Sequence, residues 1–109
     1  MAEQDGERAV DGAMRIEVGG APALHVERMR AYIEYRAFSQ LAIFASQLAT
    51  VRVVVCKSAD DRLTSCVISA ELSDGDRIES RGCGTQPVRA VDSAVRKLAD
   101  AIRKRLREL

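Results

Sequence analysis

Apolar and polar positions recur along the chain with periods that predict strands and helices in turn. From Met14 to Val18 apolar and charged residues alternate, which is the period of a half-buried strand. A stripe of apolar residues at helical spacing follows and predicts a helix over residues 22–48 that begins near Pro22. This stripe comprises Val26, Ile33, Ala37, Leu41, Phe44 and Leu48.

The second half of the chain predicts three successive strands and a last helix. Residues 50–57 are rich in valine, and residues 63–72 alternate between apolar and polar. Asp74-Gly75 is a hairpin turn signal, so residues 77–82 should return antiparallel beside that strand. Pro87 then suits the start of a helix that runs to the C-terminus.

The resulting order β-α-β-β-β-α predicts an α+β fold in which a four-stranded antiparallel sheet carries both helices on one face. In such a fold the apolar stripes of the two helices face the sheet and form the core. The residues that we expect to be buried are Val26, Ile33, Leu41, Phe44, Val95, Leu98 and Ile102.

A chain of 109 residues provides one domain. Residues 1–13 contain four acids and one base without an apolar period, and they predict a flexible acidic tail that precedes a domain at 14–109. No apolar run approaches the roughly 20 residues that cross a bilayer, and the first residues are charged where a signal peptide would be apolar. We therefore expect a cytoplasmic protein without a membrane partner.

Residues typical of catalysis or metal binding are sparse. The three cysteines lack a CxxC pair, and His25 is the single histidine, which indicates reduced thiols rather than a zinc site or disulfide framework. Asp60-Asp61 and the pair Asp74 and Asp76 fall at predicted turns, where aspartate bonds the local backbone. With no glycine-rich phosphate loop and no Ser/His/Asp set, we expect neither an enzyme nor a cofactor or metal site.

Charge is concentrated at the C-terminal end. The formal net charge of the chain is only +1, yet residues 87–109 hold seven bases and three acids. At about 100° per residue the apolar side chains of the last helix share one face, and a stripe of basic side chains lies beside it. Such a stripe is either a solvated surface that complements the helix dipole or a surface that contacts phosphates.

The order and spacing of these elements resemble the bacterial ribosome hibernation-promoting factors and ribosome-associated inhibitors. Tyr32-x-Glu34 in the first helix, its apolar stripe and the valine-rich strand after it are similar to that family's helix-to-strand passage. Ala90-Val91-Asp92 looks like the family's Ala-Ile-Asp segment, and the basic ending follows it. The resemblance covers residues 14 to about 107.

The resemblance implies a layout similar to double-stranded-RNA-binding domains and a role in silencing idle ribosomes. It implies binding to the small ribosomal subunit, mainly to ribosomal RNA phosphates, through basic residues on both helices. The RNA-binding candidates are Arg89, Arg96, Lys97, Arg103, Lys104 and Arg107 on the last helix, with Arg28 and Arg36 on the first.

The first helix departs from the family pattern and leaves an alternative open. Tyr35, Phe38 and Ile43 stand where relatives place arginine or lysine, and with Ala42 they are the candidates for a protein interface. Beside the core stripe the first helix has a second apolar strip, which comprises Leu24, Ala31, Tyr35, Phe38, Ala42 and Ala45. Such a strip either widens the core or forms an interface with a second copy of the chain or another protein. The alternative function is therefore a protein-interaction or homo-oligomerisation module built on the same fold.

Overall fold

The structure, a computed structural model, describes residues 7–10, 14–20, 26–57 and 62–108. Its strands are β1 (Glu7–Val10), β2 (Met14–Gly20), β3 (Leu48–Lys57), β4 (Thr64–Leu72) and β5 (Arg77–Gly84). Its helices are α1 (Val26–Leu41), a short 3-10 helix (Ala42–Gln47) and α2 (Pro87–Arg107).

The strands form one mixed sheet in the order β1-β2-β3-β4-β5. The prediction of an antiparallel sheet was wrong for one pair: β2 and β3 are parallel, with Ile16 opposite Val51, because α1 carries the chain back across the sheet between them. The pairs β3–β4 and β4–β5 are antiparallel. The predicted α+β class and the succession of four strands and two helices are therefore confirmed.

Strand β1 adds a fifth strand to the four that were predicted. Glu7–Val10 pairs antiparallel with β2, with Val10 opposite Met14. The expectation of a flexible tail was therefore wrong for these four residues, because they satisfy the backbone groups at the outer edge of β2. Residues 1–6 and 11–13 of the predicted tail lie outside the described residues, as do Pro22, His25 and the Asp60-Asp61 turn.

The core lies between the sheet and the two helices. Ile33, Leu41, Phe44, Val95, Leu98 and Ile102 are all buried as predicted, whereas the side chain of Val26 lies outside the described part of the chain. They pack on the inward residues of the strands, for example Val53 and Ile68, which are fully buried and lie opposite each other. Met14, Ile16 and Val18 extend this core under β2.

The first helical segment differs from the prediction in its last part. Helix α1 ends at Leu41 rather than continuing to residue 48, and the chain tightens into the 3-10 helix before Leu48 adopts extended angles (φ −111°, ψ 132°). Leu41 and Phe44 remain buried because a separation of three residues still places two side chains on one side of a 3-10 turn. The predicted burial of these two residues is therefore confirmed, although the last part of the segment is a 3-10 helix and not an α-helix.

Two positions in and beside β5 require glycine, one for its backbone conformation and one for its lack of a side chain. Gly75 has φ +97°, the left-handed conformation that the β4–β5 hairpin needs. Gly82 lies directly beneath α2, where an added Cβ would be 2.5 Å from the backbone nitrogen of Ala94 and 2.7 Å from the carbonyl oxygen of Ala90. Helix α2 can therefore approach β5 closely only because Gly82 has no side chain.

Candidate nucleic-acid interface

Helix α2 has one buried and one basic face, as the sequence predicted. Seven of its apolar or small residues, from Ala90 to Ile102, are buried. The six predicted basic residues of this helix are all exposed, and we call them the basic face of α2: Arg89, Arg96, Lys97, Arg103, Lys104 and Arg107. Over a helix of 21 residues, at about 1.5 Å per residue, the basic face is long enough to follow several phosphates.

The N-terminal half of α2 contains a shallow surface groove of about 480 Å³. Arg89 and Arg96 line it together with the hydroxyl-bearing Ser93, and Gln86 extends it past the start of the helix. Guanidinium and hydroxyl groups are common partners of phosphate oxygens. Asp92 also lines the groove, and its carboxylate adds a negative charge there.

That carboxylate is neutralised by the first helix. Arg36 on α1 donates from Nε to Asp92 Oδ1 at 2.8 Å, and both side chains are about two-thirds covered or more (33% and 27% exposed). The hydrogen bond to Asp92 and the charge of Asp92 raise the pKa of Arg36 above its ordinary value. The nearby Tyr32 and Tyr35 raise this pKa further. Arg36, which the sequence suggested as an RNA contact, thus forms an ion pair between the two helices.

Arg103 has a similar double role farther along α2. Its Nη1 donates to Asp100 Oδ1 at 3.0 Å, and its guanidinium carbon lies 5.6 Å from the centre of the Phe44 ring. The distance is within the range of a cation–π contact. Arg36 contacts Asp92, and Phe44, which comes later in the first helical segment, contacts Arg103, which comes later in α2. The two helices therefore run in the same direction.

The outward face of α1 carries aromatic rather than basic side chains. Arg28 is exposed, and Tyr32 and Tyr35 are 43% and 63% exposed. Among the candidate interface residues, Ile43 is 72% exposed, whereas Phe38 of the second apolar strip is only partly exposed and packs against the core. Ala42 is half-buried, and Leu24 lies outside the residues that the structure describes. The strip is therefore divided between the core and the surface.

The opposite face of the sheet has a balanced charge. Arg52 on β3 donates from Nε to Glu17 Oε1 on β2 at 3.0 Å, directly across the strands. Glu71 on β4 lies opposite Arg77 on β5, beside a groove of about 240 Å³ that also contains Thr50 and Ser69. Acids and bases alternate here, so the helical side of the molecule is the better surface for an anionic polymer.

Arg105 forms a contact between α2 and the β4–β5 turn that the sequence did not predict. Arg105 lies outside the basic face and forms ion pairs with Asp76 and, at 4.0 Å, with Asp74. Asp74 Oδ1 also accepts a bond from the backbone nitrogen of Asp76 at 3.0 Å, which is the predicted turn chemistry. The acids of the β4–β5 turn therefore anchor the C-terminal end of α2.

The cysteines occupy three different environments and are all free thiols. Cys66 is buried in β4, and burial raises the pKa of its thiol to about 12, with Cys56 as a second cause. Cys83 is exposed at the end of β5. Within the described ranges, no group of three or more metal-binding side chains occurs, and neither helix is long and apolar enough to span a membrane.

No protein-family model and no curated protein sequence matches this chain. Several solved structures match its fold. The N-terminal domain of Thermus thermophilus protein Y superposes with a TM-score of 0.64 at 17% identity, over 80% of this chain and 92% of that domain. A ribosomal subunit interface protein from Coxiella burnetii gives a TM-score of 0.69 at 13% identity, over 82% of this chain and 93% of its own. The chain therefore shares the fold of protein Y and of a ribosomal subunit interface protein.

Proposed function

We propose that this protein associates with the ribosome in the cytoplasm and inhibits translation by binding the small subunit through the basic face of α2. The observation that carries the proposal is the exposure of all six basic side chains on a helix whose other face is buried. Two fold neighbours whose names refer to protein Y and to the ribosomal subunit interface support a ribosomal partner.

Electrostatics supports RNA phosphates as the contact. In the stretch from Pro87 to Ala99 Asp92 is the only acid, and Arg36 neutralises it, so the groove at Arg89 and Arg96 has a positive potential. Each phosphate that such a surface neutralises releases condensed counterions, and binding then weakens as salt rises. Such contacts position a protein on RNA without selecting a base sequence. A ribosomal site would therefore be selected by shape.

Co-sedimentation with small ribosomal subunits across a salt series tests the proposal. We expect binding to decrease steadily with salt in the wild type, and the double reversal Arg96→Glu/Arg107→Glu to abolish it. The matched control is Arg77→Glu/Arg81→Glu, which changes the net charge equally on the open face of the sheet. Equal loss in both variants, or binding insensitive to salt, would contradict a specific role for α2.

Inhibition is a separate measurement on the same variants. If the protein occludes the small subunit, added wild-type protein should reduce protein synthesis in a cell-free translation system. The α2 double reversal should be inactive there and the sheet-face control should remain active. Binding without inhibition would keep the ribosomal association and remove the inhibitory role.

A second candidate function, contact with another protein, is favoured by the exposure of Tyr35 and Ile43. Phe38 and Ala42 contribute less to such a surface than the sequence suggested, because both are partly covered. A homo-oligomer that uses this surface should lose mass in solution when Ile43 and Tyr35 are replaced by lysine. A wild type that sediments as a monomer at high concentration excludes self-association.

A further inference from the structure

The only two tyrosines of the chain lie next to each other on the outward face of α1, and the chain has no tryptophan. With Arg28 and Ser39 they follow the spacing i, i+4, i+7, i+11, which places all four within about 60° of the helix circumference. All four are exposed. The rings of Tyr32 and Tyr35 are therefore exposed to solvent. They belong to a line of four side chains along α1 that begins with the cation Arg28 and ends with Ser39.

The same line borders the basic face of α2. Arg36 lies next to both tyrosines on α1 and reaches across to Asp92 on α2, in the groove of Arg89 and Arg96. Because both helices pack on the same face of the sheet and Arg36 joins them, the outward tyrosines of α1 and these arginines lie on the same side of the molecule. Aromatic rings beside a cationic groove are the combination with which proteins bind single-stranded nucleic acid.

We propose that Tyr32 and Tyr35 stack on unpaired bases of a single-stranded RNA segment whose phosphates lie along Arg89 and Arg96. This inference rests on the proposed function and specifies its ligand: an unpaired stretch of RNA rather than a duplex. Stacking requires bases that are free of a helix, and it tolerates any sequence because every base has a π-face.

Local composition favours RNA over a protein as the occupant of this surface. The exposed rings are flanked by Arg28 and Ser39, and the large apolar neighbours Met29 and Phe38 pack towards the core. The tyrosines therefore do not belong to a broad apolar patch of the kind that covers protein interfaces. Their α-carbons are about 4.5 Å apart along the helix axis, a step compatible with neighbouring nucleotides in an extended strand.

Tyrosine fluorescence tests the stacking directly, because all intrinsic emission arises from Tyr32 and Tyr35. A short oligouridine should quench this emission as it binds, since a nucleobase stacked on a phenol ring quenches its excited state. A duplex of the same length should bind more weakly and leave the emission unchanged. Free N-acetyltyrosinamide, titrated with the same RNA, corrects for light that the RNA absorbs.

Variants separate stacking from phosphate binding when affinity is measured by anisotropy of labelled oligouridine. Tyr32→Leu and Tyr35→Leu should each lower affinity about tenfold with an unchanged salt dependence, because no phosphate contact is lost. Tyr32→Phe and Tyr35→Phe should retain affinity, since a phenyl ring also stacks. Leu63→Ser, which alters an exposed apolar residue just before β4 and outside both helices, is the matched control and should bind like wild type.

The possible failures are distinguishable. Unchanged affinity of the Tyr32→Leu/Tyr35→Leu double variant, with salt-dependent RNA binding intact, would overturn the stacking and leave the phosphate contacts of α2 in place. A wild type that binds neither oligouridine nor small subunits would overturn both proposals. A loss of oligomer mass in the same double variant would show that a second copy covers the tyrosines, and that result would also overturn the stacking.

Discussion

Arg36 on α1 and Asp92 on α2 form the polar link between the two helices, with 2.8 Å between Nε and Oδ1. The link lies between the tyrosines of α1 and the arginines of α2, so it belongs to the interface as well as to the fold. Partly exposed pairs of this kind contribute little to the free energy of unfolding. Their removal therefore has more effect on the local charge than on stability.

Asp92→Asn should raise the affinity for RNA a few-fold and make the binding more dependent on salt. The amide has the shape of the carboxylate and still accepts a bond, while the face loses its negative charge and Arg36 is no longer neutralised. The melting temperature should change little. A filter-binding salt series on both proteins measures the effect, and Glu79→Gln, which removes one negative charge from an exposed residue on the opposite face of the sheet, is the control. Equal or weaker binding of Asp92→Asn would contradict the positive role assigned to this groove.

Gly82→Ala should destabilise the protein by about 1–3 kcal/mol, because its Cβ would meet the α2 backbone and force the helix away from β5. Gly19→Ala is the matched control, since a Cβ at Gly19 has no heavy atom within 4 Å in β2. Urea denaturation of both variants measures the difference. If the two alanine variants are equally stable, α2 does not depend on the close approach at Gly82.

Arg105→Met and Asp76→Asn should each destabilise the protein by up to about 1 kcal/mol, the range of partly exposed ion pairs. Because the two residues form one contact, the double variant should lose less than the sum of the single losses. Thermal unfolding of the four proteins provides the double-mutant cycle. Strict additivity would mean that the β4–β5 turn and the end of α2 are energetically independent.

Cys66 should make the protein less stable as pH rises above about 9. Its thiol has a folded-state pKa of about 12 against an ordinary value of 9.0, so in this window the unfolded chain releases a proton that the folded chain retains. The stabilisation is fully present below pH 9 and is lost as pH rises towards 12. Melting temperatures of wild type and Cys66→Ala from pH 7 to pH 10.5 isolate this contribution, since the other groups titrate in both proteins. Parallel curves would show that the thiol is not linked to folding.

The number and order of the principal elements could be predicted because each has a clear apolar period. The alternation around Ile16 and Ile68 identified strands, and the stripe from Val91 to Ile102 identified both the core face and the basic face of α2. Strand β1 could not be predicted in this way. Glu7–Val10 has no strand period, and its conformation comes from pairing with the edge of β2.

The contacts between different helices and strands could not be predicted from the sequence for another reason. The bond of Arg36 to Asp92 and the pairing of Arg105 with Asp76 depend on how α1, α2 and the β4–β5 turn are placed relative to one another. A helical wheel gives the direction of a side chain but not the residue that it meets. The same limit explains why Arg36 was grouped with the RNA contacts and Tyr32 was not singled out for its exposed ring.

The parallel pairing of β2 with β3 implies an order of assembly. Ile68 in β4 lies opposite Val53 and Ser80, and only short stretches of sequence separate these strands, whereas Ile16 lies opposite Val51 with the whole of α1 between them in the chain. Closing that long crossover costs more chain entropy than forming either hairpin. Strands β3 to β5 and α2 should therefore form the folding nucleus, to which α1 and β2 dock later. In native-state hydrogen exchange, the amides of β4 should then be the last to exchange and those of β1 the first.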